Sequence, residues 1–218
     1  MKLSLSEHNL RQYVTKQVNH LFPDGQDFKI ASSTFSKSLY RLEKCLEKIK
    51  YYDKKGFELE FNHLHSDQFL TFLWILSSQI WREFGHCSCA TKIFYLNKIL
   101  HGFDCHYDNQ LPDIFFIAHG VGTVLGKAKY SDYLYVSKGV TVGTSRGGDY
   151  PDFDEGVSLG ADSTVIGACK LSEFSSVGAG VTFFNKDLHS YEAVVRDNTG
   201  ALKTTKQSVP LSKHIFKI

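Results

Sequence analysis

One histidine stands in a stretch that is rich in glycine and β-branched residues, FIAHGVGTVLG at 116–126. An imidazole titrates near neutral pH, so His119 is suited to removing a proton from a hydroxyl group as a general base. A carboxylate on the far ring nitrogen would fix the tautomer of such a base and stabilise the imidazolium that forms. From these residues alone, His119 is a packed core side chain, a metal ligand or a base.

The sequence that follows repeats with a period of six residues. The units are VLGKAK, YSDYLY, VSKGVT and VGTSRG, then FDEGVS, LGADST, VIGACK, LSEFSS, VGAGVT and FFNKDL. This period is typical of a hexapeptide β-helix, in which short strands form the flat faces of a prism and glycines occupy its corners. The first residue of each unit is expected to point into the prism: Val124, Tyr130, Val136, Val142, Phe153, Leu159, Val165, Leu171, Val177 and Phe183.

The period is interrupted between Val142 and Phe153. The sequence GTSRGGDYPD does not fit the repeat, so it is expected to leave the prism as an excursion loop at 143–152. Loops of repeat proteins often gather on the binding face. A solvent loop without a binding role is the alternative.

Before residue 103, apolar residues recur at helical spacing. Four helices are predicted, near 4–22, 33–53, 66–84 and 87–101, and Ser66 with Asp67 and Gln68 is expected to cap the third. The apolar stripes of the second and third helices should be core: Leu39, Leu42, Leu46 and Ile49, then Phe69, Phe72, Leu73, Leu76, Ile80 and Trp81.

These patterns predict an α+β chain in two domains. A helical domain is expected at 1–103 and a parallel β-helix domain at 104–218. The second domain should end in a tail at 184–218 that contains a hairpin around Asn198, Thr199 and Gly200.

Composition excludes several classes of function. Lys plus Arg number 25 against 23 for Asp plus Glu, so no strong field is available to attract nucleic acid. No apolar segment is long enough to span a membrane, and the start lacks a signal-peptide core. Five cysteines without framework spacing fit a reducing, cytoplasmic compartment, and Cys87 and Cys89 lack the spacing of common zinc sites.

Four motifs follow one another on this repeat behind the helices: HGVGTVLG, TVGTSRGGDYP, EGVSLGADSTVIG and VGAG. In this order they resemble the serine acetyltransferase family of hexapeptide-repeat acyltransferases, from about Phe103 to Phe183. The resemblance implies a left-handed β-helix and a homotrimer joined through its prisms, with a dimer of trimers through the helical domain as a further option. It also implies that acetyl-CoA acetylates a hydroxyl directly, without a metal and without a covalent enzyme intermediate.

The resemblance implies roles for particular residues. The histidine that opens the H-x-x-G-x-x-x-G motif is the family's general base, and its partner aspartate lies fifteen residues earlier; these positions are His119 and Asp104. Contacts to acetyl-CoA carry over by position to four small residues: Gly143, Thr144, Ala161 and Ala179.

The acceptor side departs from the family. Its members usually have Asp directly before the base and an Arg-His pair after GGD, whereas this chain has Ala118 and then Tyr150 followed by proline. A pocket with Tyr150 and without the two charged anchors suits a sugar hydroxyl as acceptor. With the stretch VNHLFPDG near the start, the chain resembles serine acetyltransferase-like enzymes associated with surface polysaccharide synthesis, which implies that role for the acetylated sugar. Three loop residues are predicted to bind the acceptor: Arg146, Asp149 and Tyr150.

Three alternatives stay open. L-serine, in cysteine biosynthesis, is the acceptor that the family name implies. A non-catalytic trimeric scaffold would leave the spacing of Asp104 and His119 unexplained. A zinc-dependent carbonic anhydrase with the same prism needs three converging histidines, and no histidine lies between Val124 and Phe183.

Overall fold

The computed structural model describes residues 1–53 and 56–218. Four helices form a layer in the N-terminal half of the chain. They are α1 (Glu7–Leu21), α2 (Ser32–Leu46), α3 (Ser66–Phe84) and α4 (Ser88–His101). Two short strands, β1 (Lys2–Leu3) and β2 (Glu60–Phe61), pair in parallel beside them. Helix α3 packs against both α2 and α4, and all of its residues from 67 to 80 are buried. It is the central helix of the layer.

The second helix is shorter than the apolar pattern predicts. It ends at Leu46, and Lys50–Tyr52 forms a single 3₁₀ turn. Ile49, the last member of the predicted stripe, leaves the helix and pairs antiparallel with Phe216 near the end of the chain. Both side chains are buried, so Ile49 reaches the core from an extended backbone and not from a helix.

The expected cap of the third helix is also wrong. His65 occupies the cap position, and no side chain there accepts a hydrogen bond from the first turn. The Gln68 side chain turns back instead: it donates to the Glu60 carbonyl at 3.2 Å and accepts from the Asn62 N–H at 2.8 Å. This leaves the Asp67 carboxylate to face the prism.

The chain after α4 winds into a three-faced prism of parallel strands. The strands are, in order, β3 (Phe115–Ile117), β4 (Val124–Leu125), β5 (Leu134–Val136), β6 (Thr141–Gly143), β7 (Asp152–Phe153), β8 (Ser158–Leu159), β9 (Thr164–Ile166), β10 (Lys170–Leu171), β11 (Ser176–Val177), β12 (Thr182–Phe184) and β13 (Glu192–Arg196). The first face contains β3, β5, β8, β11 and β13; the second contains β4, β6, β9 and β12; the third contains β7 and β10. The N-terminal helices followed by this parallel region confirm the predicted α+β class.

Eight of the ten predicted inward residues form the buried core of the prism, and Tyr130 is half-buried with its ring packed on Phe153. All from Val136 to Phe183 are buried, and they stack in register with partners in adjacent coils. Val124 is wrong: it is 40% exposed, and its neighbour Leu125 is buried and pairs with Val142. A shift of one residue exchanges the two faces of a strand. The hexad frame is therefore one residue out of phase in the first coil.

The end of the chain returns to the helices. Strand β14 (Leu202–Lys206) pairs antiparallel with β13 and completes the expected hairpin. The short helix α5 (Leu211–Ile215) follows. Beyond it, the Lys217 N–H donates to the Lys48 carbonyl at 2.8 Å, and Lys217 Nζ lies 2.8 Å from Asp53 Oδ2. Within the residues described, no helix has the length and apolar character needed to cross a membrane.

Candidate active site

His119 lies on the first edge of the prism, where the first face turns into the second. Ile117 pairs with Val136 in the next coil, and Val124 pairs with Thr141. The chain therefore takes seven positions to turn this edge in the first coil but five in the second. His119 adopts a left-handed backbone with φ of 54° inside this wider turn, and its side chain is 82% exposed. The extra length lifts the imidazole out of the regular repeat.

Helix α3 packs directly against this turn. A Cβ on Gly120 would lie 2.3 Å from Leu70 Cδ1, so only glycine allows the present approach of helix and backbone. The Leu70 carbonyl accepts from Asn97 Nδ2 at 3.0 Å, and Asn97 Oδ1 lies 2.8 Å from His101 Nδ1. Burial lowers the pKa of His101, which favours a neutral imidazole there. These contacts fix α3, α4 and the turn relative to one another.

Asp67 brings a carboxylate to the same turn. Its Oδ2 lies 3.8 Å from His119 Nδ1, and its side chain is only 9% exposed. The position in the first turn of α3 favours a negative charge, because the N-terminal end of a helix is electropositive. At 3.8 Å the two groups are not hydrogen-bonded, so both keep their capacity to bind a ligand. Asp67 was not predicted as a site residue, because its position next to Ser66 at the start of a helix indicates a cap.

An open cavity of about 510 Å³ surrounds these two groups. Its walls include Tyr51, Leu64 and Phe116, and its floor contains Ala118. Tyr52 supports the wall from behind, because its ring packs edge-on against Phe116 and His65 with centroids 5.7 and 5.6 Å apart. Burial raises the pKa of Tyr52, so this phenol stays protonated. The remaining lining residues are His65 and Ser66.

Asp104, the predicted partner of His119, lies at the start of the prism. Its backbone pairs with the second face, through bonds to the Thr123 carbonyl and the Leu125 N–H, each within 2.9 Å. Its Oδ2 accepts from Lys98 Nζ at 2.6 Å. In the part of the chain that the structure describes, no ion pair joins Asp104 to His119. Their pairing stays a prediction.

The four residues expected to hold acetyl-CoA border the second face on its two sides. Ala161 and Ala179 lie on the first edge, the edge of His119, in later coils, and the Ala161 carbonyl accepts from the Gly180 N–H at 2.9 Å. Gly143 ends β6 and Thr144 follows it, so both lie on the second edge, between the second and third faces.

The excursion loop also leaves from the second edge. Thr141 and Thr164 are paired although 23 positions apart, whereas Thr164 and Thr182 are 18 apart, so the loop accounts for the additional length. Asp149 closes the loop by accepting from Ser145, and Lys127 Nζ lies 4.6 Å above the Tyr150 ring. Arg146 is exposed. In the described chain, none of the three predicted acceptor residues lines the His119 cavity.

Comparisons with known proteins agree with this architecture. No family model matches the sequence. A serine acetyltransferase from Synechococcus elongatus is 33% identical over 90 residues, 39% of this chain and 37% of that protein. One from Staphylococcus xylosus is 29% identical over 110 residues, 49% of this chain and 50% of that protein. The matched region thus spans half or less of the length of these relatives.

Solved structures match over more of the chain. Serine acetyltransferase from Brucella abortus has a TM-score of 0.70 at 18% identity, covering 94% of this chain and 85% of that one. Isoform 3 from Entamoeba histolytica, in complex with cysteine, has a TM-score of 0.64 at 17% identity, covering 92% and 74%. A serine acetyltransferase in complex with CoA has a TM-score of 0.62 at 15% identity, covering 80% and 75%. Over about half of its sequence and in its left-handed β-helix fold, the chain is similar to the serine acetyltransferases of the hexapeptide-repeat class.

Proposed function

We propose that this chain is an acetyl-CoA-dependent O-acetyltransferase in which His119 is the general base. One observation carries the proposal: an exposed imidazole and a buried carboxylate, 3.8 Å apart, line one open cavity on an edge of the prism. The serine acetyltransferase relatives and a CoA complex of the same fold support acetyl-CoA as the donor.

The chemistry follows from the position of the imidazole. The acceptor hydroxyl gives its proton to His119 as its oxygen bonds to the thioester carbonyl carbon. The tetrahedral intermediate then breaks its carbon–sulfur bond, and the imidazolium returns the proton to the leaving CoA sulfur. A nearby carboxylate stabilises the imidazolium formed between these steps. Asp67 is the nearer candidate for this role, and Asp104 is the one that the family resemblance implies.

The Asp67 carboxylate changes which class of acceptor the cavity favours. Ala118 cannot bind an ammonium group, but the Asp67 carboxylate lines the same cavity and is shielded from water. An acceptor whose hydroxyl lies near an ammonium group is therefore favoured over a neutral one. We propose L-serine, as used in cysteine biosynthesis, as the first candidate, and the names of the relatives support it.

Binding of the serine carboxylate and of CoA would involve a second subunit. In a homotrimer joined through the prisms, the second edge of one prism can approach the first edge of its neighbour. Arg146 would then supply a cation to the cavity of the adjacent subunit. Gly143 and Thr144 on one edge, with Ala161 and Ala179 on the other, would border the CoA groove.

A sugar hydroxyl is the second candidate acceptor. Two aromatic rings, Tyr51 and Phe116, line the cavity, and none of its described lining residues is Lys or Arg. Within one chain, the carboxylate of serine would have no cationic partner, and an unpaired buried charge is costly. A sugar, including an amine-bearing sugar held by Asp67, avoids this cost.

A competition assay tests both candidates. Acetyl-CoA is made limiting, and L-serine is offered together with glucose, glucosamine and a nucleotide-linked sugar. Predominant O-acetylserine supports the first candidate, and predominant acetylated sugar supports the second. If CoA is released no faster with any acceptor than with buffer, the proposal of O-acetyl transfer is wrong.

A further inference from the structure

A second, larger cavity adjoins the His119 cavity. It has a volume of about 820 Å³, and the two cavities share Tyr51 and His65 as common walls. Tyr51 is 72% exposed, so its ring is available to ligands on this surface. Nothing in the proposed transfer to a single small acceptor uses the second cavity.

The described charged residues that line the second cavity are one cation, Lys2, and two carboxylates, Glu58 and Glu60. Lys2 Nζ lies 3.9 Å from Glu60 Oε1. A strongly anionic ligand is disfavoured there, because the carboxylates outnumber the cation. The carboxylates still present lone pairs to neutral hydroxyls.

The remaining surface combines aromatic rings with an exposed side-chain amide. Phe57 is 77% exposed and stands on the wall with Tyr51. Asn62 is exposed and lines the same cavity, and its Oδ1 accepts from the Leu64 N–H at 2.9 Å. Its Nδ2 can donate to a hydroxyl of a ligand. Aromatic faces with a few neutral hydrogen-bonding groups are the surface that a sugar ring requires.

We propose that the second cavity binds the non-reacting sugar ring of an oligosaccharide acceptor. The reacting ring lies in the His119 cavity, and the linkage passes the shared wall of Tyr51 and His65. The proposal rests on the proposed O-acetyl transfer and develops its second candidate acceptor, the sugar, into a carbohydrate of at least two rings. The chemical step is unchanged: the hydroxyl proton passes through His119 to the CoA sulfur.

The subsite predicts a dependence on acceptor length. Binding energy from a remote part of a substrate can be used to raise kcat/KM at the reacting centre. Glucosamine and its β-1,4-linked dimer are the probes, because Asp67 can hold the amine of either. The wild-type protein should use the dimer with a kcat/KM at least about tenfold above that of the monomer.

Two substitutions separate the subsite from the reaction. Phe57→Ala and Glu60→Gln change residues that line the second cavity but not the His119 cavity. Each should reduce the advantage of the dimer to less than about threefold while leaving the monomer within about twofold of wild type. Phe84→Ala is the matched control: this phenylalanine is 63% exposed, ends α3 and lines neither cavity, so the advantage should persist.

The outcomes distinguish the subsite from the reaction. Equal kcat/KM for dimer and monomer, with acetyl transfer intact, overturns the subsite alone. Preference for a seryl peptide over the dimer, lost in Phe57→Ala, overturns the carbohydrate class. Absence of transfer to every hydroxyl from folded wild-type protein overturns both proposals. If Glu60→Gln unfolds because β2 is disturbed, Phe57→Ala still decides the question.

Discussion

Two turns on the same edge of the prism differ in what they do. The turn of the second coil, between Val136 and Thr141, uses Gly139 with φ of 68°, and a Cβ there would meet Asp162 Oδ1 at 2.1 Å. The turn of the first coil is two residues longer, exposes His119 and touches a helix. The tight turn at Gly139 allows the adjacent coils to pack closely. The wide turn departs from that regular spacing and presents an imidazole to solvent.

The pairing of charged groups also differs between the regular coils and the wide turn. On the regular coils they pair from one coil to the next, as Lys138 does with Asp162 at 2.8 Å and Lys129 with Asp152 at 3.1 Å. At the wide turn, Asp67 and His119 remain 3.8 Å apart without a hydrogen bond between them. Charges satisfied within the fold contribute little to ligand binding, whereas the unsatisfied pair can respond to a substrate.

The largest expected effect comes from removing the proposed base. His119→Ala should lower kcat by about 10²–10⁴, the usual contribution of a general base, and should leave the thermal melting temperature within a few degrees because the side chain is exposed. His189→Ala, at an exposed histidine late in the prism, is the control and should retain wild-type turnover. Wild-type turnover in His119→Ala would exclude the mechanism.

The next effect separates the two carboxylates. Asp67→Asn should lower kcat/KM for amine-bearing acceptors by about 10–100-fold, since a charged hydrogen bond contributes about 1.5–3 kcal/mol. A hydroxyl acceptor without an amine should lose much less.

Asp104→Asn provides the comparison for Asp67→Asn. If Asp104 acts on His119, its substitution should lower kcat for every acceptor alike. If Asp67→Asn instead lowers the rates with amine-bearing and amine-free acceptors equally, Asp67 acts on the base and not on the ammonium group. Steady-state kinetics with L-serine and a neutral sugar make the distinction.

Much of the prism could be predicted from the sequence because its core repeats. Leu159 and Val177 occupy equivalent places in successive coils and are three periods of six apart, so the period predicts both. Val124 was misassigned because only five positions, and not six, separate the inward Leu125 from Tyr130, whose ring packs on Phe153. The repeat begins at Val124, so it carries no information about the turn that holds His119.

The candidate site depends on long-range contacts that cannot be predicted from the spacing of residues in the sequence. Asp67 and His119 are 52 positions apart, and they meet because Leu70 packs on Gly120. The cavity wall at Tyr51 depends on a backbone pairing of Ile49 with Phe216, across most of the chain. Such long-range pairings follow from packing of the whole fold. A local apolar pattern instead predicted a continuous helix through Ile49.

A smaller effect tests the contact between helix and turn. Gly120→Ala places a Cβ 2.3 Å from Leu70 Cδ1, so Leu70 must change rotamer or α3 must shift. The expected destabilisation is about 1–3 kcal/mol, with an increase of a few fold in KM for the acceptor. Denaturant unfolding and steady-state kinetics measure the two effects.

The double variant Gly120→Ala, Leu70→Ala controls this experiment. Shortening Leu70 creates the space that the new Cβ needs, so the double variant should be less destabilised than the sum of the single changes. Strictly additive destabilisation would show that the two residues are not in contact, and the position of Asp67 beside His119 would then lack its support.

The smallest expected effect on activity concerns the cysteines. They contribute to packing and take no part in the proposed reaction. Burial raises the pKa of Cys45 and of Cys105 to about 12, so neither is a thiolate near neutral pH, and a protonated thiol is a poor nucleophile. Cys45 also donates to the Phe115 carbonyl at 3.1 Å, a contact between the helices and the first face. Replacing Cys87 and Cys89, which are partly exposed, should leave kcat within about twofold of wild type, because the proposed direct attack of the acceptor on the thioester uses no cysteine nucleophile. Cys45→Ala should instead lower stability by about 1–2 kcal/mol while the remaining folded molecules keep their turnover.

Mass spectrometry of protein quenched during turnover provides the decisive measurement. An acetyl group trapped on any cysteine would replace direct transfer with a covalent mechanism, and the wide turn would then lose its central role.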